Sequence, residues 1–563
     1  MRTKTNKKTG GQILVECLIK HSTDRVFCVP GESYLGALDA FYDFRKKIKL
    51  VNAKHEASAS NMAEAYGKLT GNPGIAFVTR GPGACHASVG IHISKQDSSP
   101  MILFVGQVSN SMFGKEAFQE IDYVSMFSNV AKKSFHISNV EDIEKVIHKA
   151  FQISKTDRKG PVVISLPEDI LIKTTFQKNL KVHKIKEKKI NDDKILKMKS
   201  LIENSKKPII ILGGSNWSEN SKKNIEKFAK IYQLPVVTSF RRQDLINNRS
   251  KNFVGTLGTS VSPKLLDFFK ESDLVLAIGT RLNDISTNGF DLFSKSQKQT
   301  KLIHIYPSHK EIKKVFKATL SIETSINNFS NNILNFDECD KKKFGNWLKK
   351  LRREYIDDIT LKENFVHHKL AVICKKVNNY INQDTVITLD AGNHTGWPQR
   401  YIQYNSKCIQ IGSTCGSMGY SIPAAISSSF VYPKKKIISF VGDGGFLMSG
   451  LEISTAVENK LNIIFIIINN SSYGTIRMHQ EKYYPKRVIG TNLKNPDFVS
   501  ICNGMGANAK RVKNVEDFFH FFKKCFNSKK VSVIELITDI ENISTRLLLS
   551  KIKKSFFKNN EIK

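Results

Sequence analysis

The chain has 563 residues, and its 87 Lys or Arg against 51 Asp or Glu give it a formal net charge of +36. A chain of this length is too long for one hydrophobic core, so three domains of ordinary size are expected. The charge invites a nucleic-acid-binding function, but the lysines are spread along the whole chain with few aromatic residues among them, which argues against that class.

The cysteines and the hydrophobic segments indicate an ordinary cytoplasmic protein. No stretch free of charge approaches the length needed to span a membrane, and the basic N-terminus lacks an apolar signal region. The cysteines form no CxxC pair and no metal-ligand spacing, and most have apolar neighbours in the sequence, so we expect most of them to be reduced residues of the core. They lie at positions 17, 28, 85, 339, 374, 408, 415, 502 and 525.

The first predicted domain, residues 1–173, alternates apolar strands with helices. The predicted strand Val26–Val29 is followed by Pro30 and Gly31, and the strand Gly74–Val78 is followed by a loop and a helix. Between them, residues 51–71 predict a short extended stretch and then a helix that begins at His55 and Glu56. An acid in the first turn of a helix can simply interact with helix N–H groups, which is the structural alternative for Glu56.

The remainder of this domain carries the segment Ala117–Asp122, with Lys132 ten residues later. Its acidic residues also allow a plain helix start. The Lys-rich stretch from 173 to 199 is predicted to be a linker. A central domain, residues 193–335, begins with the buried strand Ile209–Leu212, and a charged connector, residues 337–350, follows it.

The third predicted domain, residues 364–545, precedes a basic tail at 546–563. Its strand Thr385–Leu389 leads into Gly392, Asn393 and His394, and a second glycine-rich segment contains Gly416 and Met418. Taken alone, Met418 is more typical of a core residue than of a ligand contact.

Asp443 and Asn470 are the most informative residues of this domain. The pattern around them predicts a strand, a Gly-rich turn, one amphipathic helix at Leu451–Leu461 and a second strand. Parallel strands bring both polar residues to one sheet edge, where a carboxylate and an amide oxygen suit Mg2+ and glycines let backbone N–H groups approach a phosphate. The alternative is an ordinary strand-to-helix turn, since Gly and Asp are common turn formers.

The Gly-Asp-Gly and Asn-Asn motifs resemble the signature of the thiamine diphosphate (ThDP) enzymes. The resemblance implies an α/β fold with three doubly wound parallel-sheet domains. The N-terminal domain would bind the pyrimidine of ThDP, the second would be the central domain, and the C-terminal domain would bind the diphosphate of ThDP. It also implies that Asp443, Asn470 and the backbone carbonyl of Ser472 hold Mg2+. The residues that it assigns to cofactor binding are Pro30, Gly31, Gly81, Pro82, His86, Gly392, Asn393, His394, Gly416, Met418, Gly442, Gly444, Gly445 and Tyr473.

Within these enzymes the chain is similar to the acetolactate synthase branch. That branch implies that Glu56 lies in an apolar pocket and shares a proton with the cofactor's aminopyrimidine. It places Phe118 and Gln119 at the catalytic centre across a subunit interface, and Lys132 near the substrate channel. Met418 would lie beneath the cofactor.

The resemblance implies decarboxylation of a 2-keto acid, with pyruvate as the expected donor, and carboligation to a second keto acid. A 2-keto acid decarboxylase, an FAD-dependent oxidase and, last, a nucleic-acid binder are the alternatives. We expect a homodimer or homotetramer with active sites at subunit interfaces, and no membrane or nucleic-acid partner. Whether a small regulatory subunit binds stays open.

Several residues depart from the family pattern. His479 stands where acetolactate synthases usually have the Trp that helps select the acceptor, and Glu32 replaces a usual glycine. Arg477 could grip a substrate carboxylate or simply face solvent. In the central domain Ile285 and Tyr306 replace an expected Arg and an expected acid near the flavin loop, which leaves FAD binding open.

Overall fold

Three stretches of the chain each form a parallel six-stranded β-sheet. This computed structural model describes residues 7–182, 187–293, 300–335, 343–361, 368–405 and 407–552. The first sheet belongs to one compact unit, and the other two sheets belong to a second unit. Among the described helices, none combines the length and the apolar character that a membrane crossing requires.

The N-terminal sheet has the crossed-over strand order of a doubly wound fold. Its central strands are buried along their whole length, as expected where helices cover both faces. From edge to edge the strands are Lys49–Asn52, Arg25–Cys28, Gly74–Val78, Met101–Gln107, Pro161–Pro167 and Lys133–His136. The α-helices are Gly10–Lys20, Leu35–Asp43, Glu56–Thr70, Pro82–Asp97, Tyr123–Met126, Ile143–Lys155 and Glu168–Ile172. A short antiparallel pair, Lys8–Thr9 with Thr174–Thr175, lies outside this sheet.

The central sheet is also wholly parallel. Apolar cores lie on both of its faces. Its strands, in order, are Phe253–Thr256, Val236–Thr238, Pro208–Leu212, Leu274–Ile278, Lys301–Tyr306 and Leu320–Glu323. The α-helices are Asp192–Glu203, Glu219–Tyr232, Pro263–Glu271, His309–Ile312, Ile326–Asn332 and Gly345–Ile359.

The C-terminal sheet places the two strands that precede the Asp443 and Asn470 motifs next to each other. Its strands, in order, are Ile409–Gly412, Thr385–Leu389, Lys436–Gly442, Ile463–Asn469, Ser532–Ile537 and Asn508–Val512. The α-helices are Lys369–Val377, Gly396–Tyr401, Ser421–Val431, Asp443–Ser449, Glu452–Glu458, Gly474–Tyr483, Phe498–Gly504 and Val515–Asn527. The fold predicted from sequence, three doubly wound α/β domains, is confirmed.

The Gly-rich segment after Gly442 is not the predicted turn. A helix, Asp443–Ser449, begins at once where the turn was predicted, and the helix predicted at Leu451–Leu461 is present in shorter form as Glu452–Glu458. Propensity indicated a turn at the glycines, but the packing of this segment keeps it helical. The break falls at Gly450, where a Cβ atom would lie only 2.7 Å from the ring of Phe446.

The predicted linker is also partly wrong, because the helix Asp192–Glu203 begins inside residues 173–199. Asn191 caps this helix by accepting a hydrogen bond from the backbone N–H of Asp193, and the helix buries Met198 and Ile202. The helix was not predicted because its many lysines make the segment look like a charged linker, while its apolar stripe is narrow. The connector at 337–350 likewise contains the start of the helix Gly345–Ile359.

The cysteines that are buried in the described structure carry free thiols, as predicted; they are Cys17, Cys28, Cys374, Cys408, Cys502 and Cys525. Cys339, the predicted domain start at 364 and the tail beyond 552 lie outside the described residues. The predicted domain limits stay predictions.

Candidate active site

Asp443 and Asn470 reach the same edge of the C-terminal sheet. Their strands are parallel neighbours, and Gly442 pairs with Ile468 at the carboxyl ends. Asp443 is therefore the first residue beyond one strand and Asn470 the first beyond the other. Strand ends at this edge of a doubly wound sheet are the usual place for a ligand site.

Asn495 holds the Asp443 carboxylate in place. Its Nδ2 donates to Asp443 Oδ2 at 2.9 Å and to Asn469 Oδ1 at 2.9 Å. Asp443 Oδ1 accepts from the backbone N–H of Gly444 at 2.9 Å. Burial raises the pKa of the Asp443 carboxyl, while Asn495 and the surrounding N–H groups lower it. A nearby cation would favour the charged form of this partly buried acid.

A cavity of about 400 Å3 opens beside these residues. It is lined by every residue of the C-terminal domain that the sequence assigned to cofactor or metal binding. These are Gly392, Asn393, His394, Gly416, Met418, Gly442, Asp443, Gly444, Gly445, Asn470, Ser472 and Tyr473.

Glycines are required in the cavity wall because aromatic side chains approach them closely. A Cβ atom at Gly444 would lie 2.5 Å from Cε1 of Tyr473, and one at Gly442 would lie 2.9 Å from Cε1 of His394. Such distances are shorter than van der Waals contact, so no larger residue fits without a shift. The wall is thus a close-fitting cradle in which backbone groups lie near the cavity.

His394 supplies a buried polar atom without a partner. Its Nε2 forms no hydrogen bond with any described residue. Burial, reinforced by the charge of Arg241, lowers the pKa of His394 to about 3, so the ring is neutral at physiological pH. An unsatisfied buried nitrogen is costly, and an acceptor such as a phosphate oxygen would satisfy it.

Asp390 joins the two loops that form the cavity wall, a role that the sequence analysis missed. Its Oδ1 accepts from the N–H groups of Ala391 at 2.6 Å and Gly419 at 2.9 Å, and its Oδ2 accepts from Ser421. The Arg241 guanidinium, from the central domain, donates to the backbone carbonyl of Asp390. The signal was available, because Asp390 is the first residue after the predicted strand Thr385–Leu389.

Thr475 connects the Gly392–His394 loop to the helix Gly474–Tyr483. Its Oγ1 accepts from the backbone N–H of Asn393 at 2.9 Å and donates to Asn393 Oδ1 at 3.1 Å. The backbone of Ser472 is held as well, because its carbonyl accepts from the N–H of Gly474 and its hydroxyl donates to the carbonyl of Thr491. Asn393 and Ser472 are therefore held in place by hydrogen bonds.

In the N-terminal unit, Glu56 and His86 form a pair. His86 Nδ1 lies 2.9 Å from Glu56 Oε2. Glu56 is the first residue of its helix, and the His55 side chain caps that helix by accepting from the N–H of Ala57. Capping by His55 leaves the Glu56 carboxylate for other contacts, which argues against the structural alternative for Glu56.

The Gly31 and Gly81 loops pack together near Thr79. A Cβ atom at Gly31 would lie 2.5 Å from Cβ of Thr79, while Gly81 adopts a φ of 61° and packs on Gln119. Pro82 begins the next helix, where its missing N–H costs nothing. The loop is also held by Tyr123, whose hydroxyl accepts from the N–H of Gly81 at 2.7 Å and which the sequence analysis missed.

Two other predicted catalytic residues of this unit make different contacts. Phe118 is 75% exposed. Lys132 Nζ donates to the carbonyls of Ile153 and Thr156, at the end of the helix Ile143–Lys155. Desolvation of the ammonium lowers the pKa of Lys132 to about 8. These contacts explain a structural role for Lys132, and its catalytic role stays a prediction, as do those of Phe118, Gln119 and Glu56.

Arg477 faces neither the cavity nor open solvent. Its Nε donates to Glu481 Oε1 at 3.0 Å, and its Nη1 donates to Asn492 Oδ1 at 3.2 Å. His479 stacks on Tyr483 of the same helix and is not part of the cavity lining. The nearest lining residue on this helix is Ile476.

The loop of the central domain that resembles a flavin site is held by protein contacts. Arg281 lies 3.8 Å from Glu311, and His304 contacts the carbonyl of Thr280 at 2.8 Å. Ile285 begins a short 3-10 helix, and Tyr306 is buried at the end of its strand. FAD binding stays a prediction.

Three family descriptions match the chain in the order of its three sheets. Residues 8–126 match the thiamine pyrophosphate enzyme N-terminal TPP binding domain, residues 195–333 match the central domain, and residues 390–536 match the C-terminal TPP binding domain. Thiamine pyrophosphate is another name for ThDP. The fold and these matches define the chain as a ThDP-dependent enzyme.

Curated relatives narrow the class. An acetolactate synthase large subunit of Cyanidium caldarium is 30% identical over 91% of this chain and 90% of its own length. The mitochondrial acetolactate synthase of Schizosaccharomyces pombe is 29% identical over 94% of this chain and 83% of its own length. An acetolactate synthase large subunit of Buchnera aphidicola is 30% identical over 90% of this chain and 90% of its own length. The chain belongs to the acetolactate synthase family.

Proposed function

We propose that this protein is a ThDP- and Mg2+-dependent carboligase that decarboxylates pyruvate and joins the remaining two-carbon unit to a second 2-keto acid. The observation that carries the proposal is the C-terminal cavity, in which Asp443, Asn470 and Ser472 adjoin a cradle of glycines. The names of the relatives support the same reaction.

The oxygen atoms at the strand ends fit a hard cation. Asp443 offers a carboxylate, Asn470 an amide oxygen and Ser472 a backbone carbonyl, which is a ligand set that Mg2+ accepts. Gly442 and Gly444 would let a diphosphate approach the backbone, and His394 Nε2 would donate a hydrogen bond to it. We therefore assign these residues to Mg2+ and to the diphosphate of ThDP.

When bound, ThDP supplies the electron sink for decarboxylation. The protein's own contribution is to orient the cofactor, exclude water and manage one proton. We assign support of the cofactor to Met418, and proton exchange with the aminopyrimidine to the carboxyl group of Glu56, which the His86 ring orients. Phe118 and Gln119 are assigned to the substrate side.

The acceptor keto acid is set by residues beyond the cavity lining. His479 replaces the usual Trp, and a smaller, polar ring removes apolar contact area from an acceptor side chain. We propose that acceptor selection is weaker in this enzyme than in its Trp-containing relatives. Competition between pyruvate and 2-ketobutyrate as acceptors, analysed for the wild type and His479→Trp, tests this; an unchanged product ratio would contradict it.

We also propose a homodimer or homotetramer, with each active site shared by two subunits. Exposed apolar side chains support an interface, because Leu447 and Met448 on the helix after the cavity and Phe118 in the N-terminal unit are largely exposed. Mixing two inactive variants, Glu56→Gln and Asp443→Asn, should restore part of the activity through mixed oligomers. No recovery after subunit exchange would contradict the shared site.

Product analysis tests the reaction itself. The full-length protein is incubated with ThDP, Mg2+ and pyruvate, and the products are identified by NMR, with Asp443→Asn as the inactive control. The proposal predicts acetolactate. Acetaldehyde would instead identify a decarboxylase, and acetate formed with oxygen consumption would identify an oxidase. A flavin absorbance band in the purified protein would test FAD directly.

A further inference from the structure

A second cluster of reactive side chains lies in the N-terminal unit and uses none of the residues assigned above. Cys17 belongs to the helix Gly10–Lys20, and Glu144 and His148 belong to the helix Ile143–Lys155. Glu144 and His148 are four residues apart, so they share one face of their helix. One ligand atom from each of the three side chains lies within 4.8 Å of the other two.

We propose that Cys17, Glu144 and His148 bind a Zn2+ ion that cross-links the two helices. A thiolate, an imidazole and a carboxylate are the ligands that Zn2+ prefers, and three protein ligands leave one position for water. The proposal is independent of the proposed reaction, because it concerns metal binding by other residues.

Glu144 provides the strongest support for cation binding at this cluster. Its Oε1 accepts from Lys20 Nζ at 3.0 Å and from the backbone N–H of Leu180 at 2.9 Å. The Glu144 side chain is only 3% exposed, and its Oε2 is buried without a hydrogen-bond partner among the described residues. A buried carboxylate oxygen without a partner is costly, and a metal ion would compensate that cost.

His21 fixes the orientation of the His148 ring. His21 Nε2 lies 2.7 Å from His148 Nδ1, and the His21 ring stacks on Phe151 at 3.9 Å. On its other side, His148 Nε2 lies 3.7 Å from Glu144 Oε1. A histidine ligand held through its second nitrogen is typical of metal sites, because the outer contact sets the ring orientation.

The distances are close to those that coordination needs. Tetrahedral Zn2+ with bonds of about 2.0–2.3 Å separates neighbouring ligand atoms by about 3.5 Å. The cluster must therefore contract by roughly 1 Å, which small side-chain rotations can supply. Coordination releases the thiol proton of Cys17 to solvent, and the thiolate and the Glu144 carboxylate then balance the charge of the ion. Lys20 can keep its contact with the other carboxylate oxygen.

Cobalt substitution tests the site. The full-length protein is stripped of metal, saturated with ThDP and Mg2+, and titrated with Co2+, whose bond to a thiolate gives a charge-transfer absorption band. We expect about one equivalent of Co2+ per chain to produce this band, and Zn2+ to abolish it by displacement. Cys17→Ser should remove the band and weaken Zn2+ binding at least about 10-fold.

Two controls separate this site from other metal ligands. Cys28→Ser removes a buried thiol of the same unit that lies outside the cluster and should leave the band unchanged. His86→Gln addresses the other group of potential ligands, His55, Glu56 and His86, and should also leave it unchanged. If Cys17→Ser does not fold, His148→Gln and Glu144→Gln should each weaken Zn2+ binding. A wild type without the band, or a band that survives Cys17→Ser, would overturn the proposal.

Discussion

Replacing Gly444 by alanine should weaken ThDP binding without unfolding the protein. The new Cβ atom would lie 2.5 Å from Cε1 and 2.9 Å from Cδ1 of Tyr473. Because comfortable carbon contacts need about 3.5–4.0 Å, the ring must move by roughly 1 Å. The backbone of Tyr473 cannot follow easily, since its N–H donates to the carbonyl of Thr491 at 2.8 Å.

Overpacking of this kind costs about 1–3 kcal/mol. If the displaced ring intrudes on the cavity and the cost falls on the bound state, the dissociation constant for ThDP rises by about 5- to 150-fold. Isothermal titration calorimetry in saturating Mg2+ measures this change. Gly504→Ala is a matched control, because a Cβ atom there meets no other atom within 4 Å. Equal affinities of Gly444→Ala and the wild type would refute this account of the cradle.

Three further predictions concern single side chains. Asp390→Asn should lower the free energy of unfolding by about 1–3 kcal/mol in urea titrations, because an amide nitrogen replaces one of the two acceptor oxygens that bind the loop N–H groups. Asp384→Asn, in the same domain, is the control, and an equal loss of stability in both variants would contradict this role of Asp390. Glu56→Gln should preserve the fold but abolish proton exchange at C2 of bound ThDP, measured by NMR, and near-normal exchange would exclude Glu56 as the proton-sharing acid. Burial lowers the pKa of His394 to about 3 in the folded protein against about 6.5 in the unfolded chain, so the unfolded state binds the proton more tightly. The contribution of neutral His394 to stability is complete above about pH 6.5 and falls by roughly 1.4 kcal/mol per pH unit as the pH drops towards 3. Free energies of unfolding measured across this pH range test the effect, and an equally steep pH dependence in His394→Asn and the wild type would contradict it.

The sheets and the C-terminal site could be predicted from the sequence because they depend on local patterns. Runs rich in apolar and β-branched residues, such as Gly74–Val78 and Thr385–Leu389, predicted buried parallel strands with the observed limits. Once the strands were known, the parallel order placed Asp443 and Asn470 at one edge. The predicted glycines of this domain, His394 and Met418 all line the cavity at that edge.

Residues that act through distant contacts could not be predicted in this way. Arg241, Asn495 and Tyr123 are separated by many residues from the loops that they hold, and single-sequence patterns carry no information on such contacts. The cluster of Cys17, Glu144 and His148 was not visible from spacing, because Cys17 lies more than a hundred residues before the other two and meets them only when two helices pack. The Gly-rich start of the helix Asp443–Ser449 shows the reverse case, in which tertiary packing overrides a clear local preference.

The central claim is that the C-terminal cavity binds ThDP through a metal held by Asp443. Calorimetric titration of the full-length protein with ThDP, with Mg2+ and then with EDTA in its place, tests this most directly when the wild type is compared with Asp443→Asn. The account predicts saturable binding by the wild type in Mg2+ only, and a large loss of affinity in the variant. A folded wild type that takes up no ThDP in Mg2+, or a variant that binds it equally well, would contradict the claim.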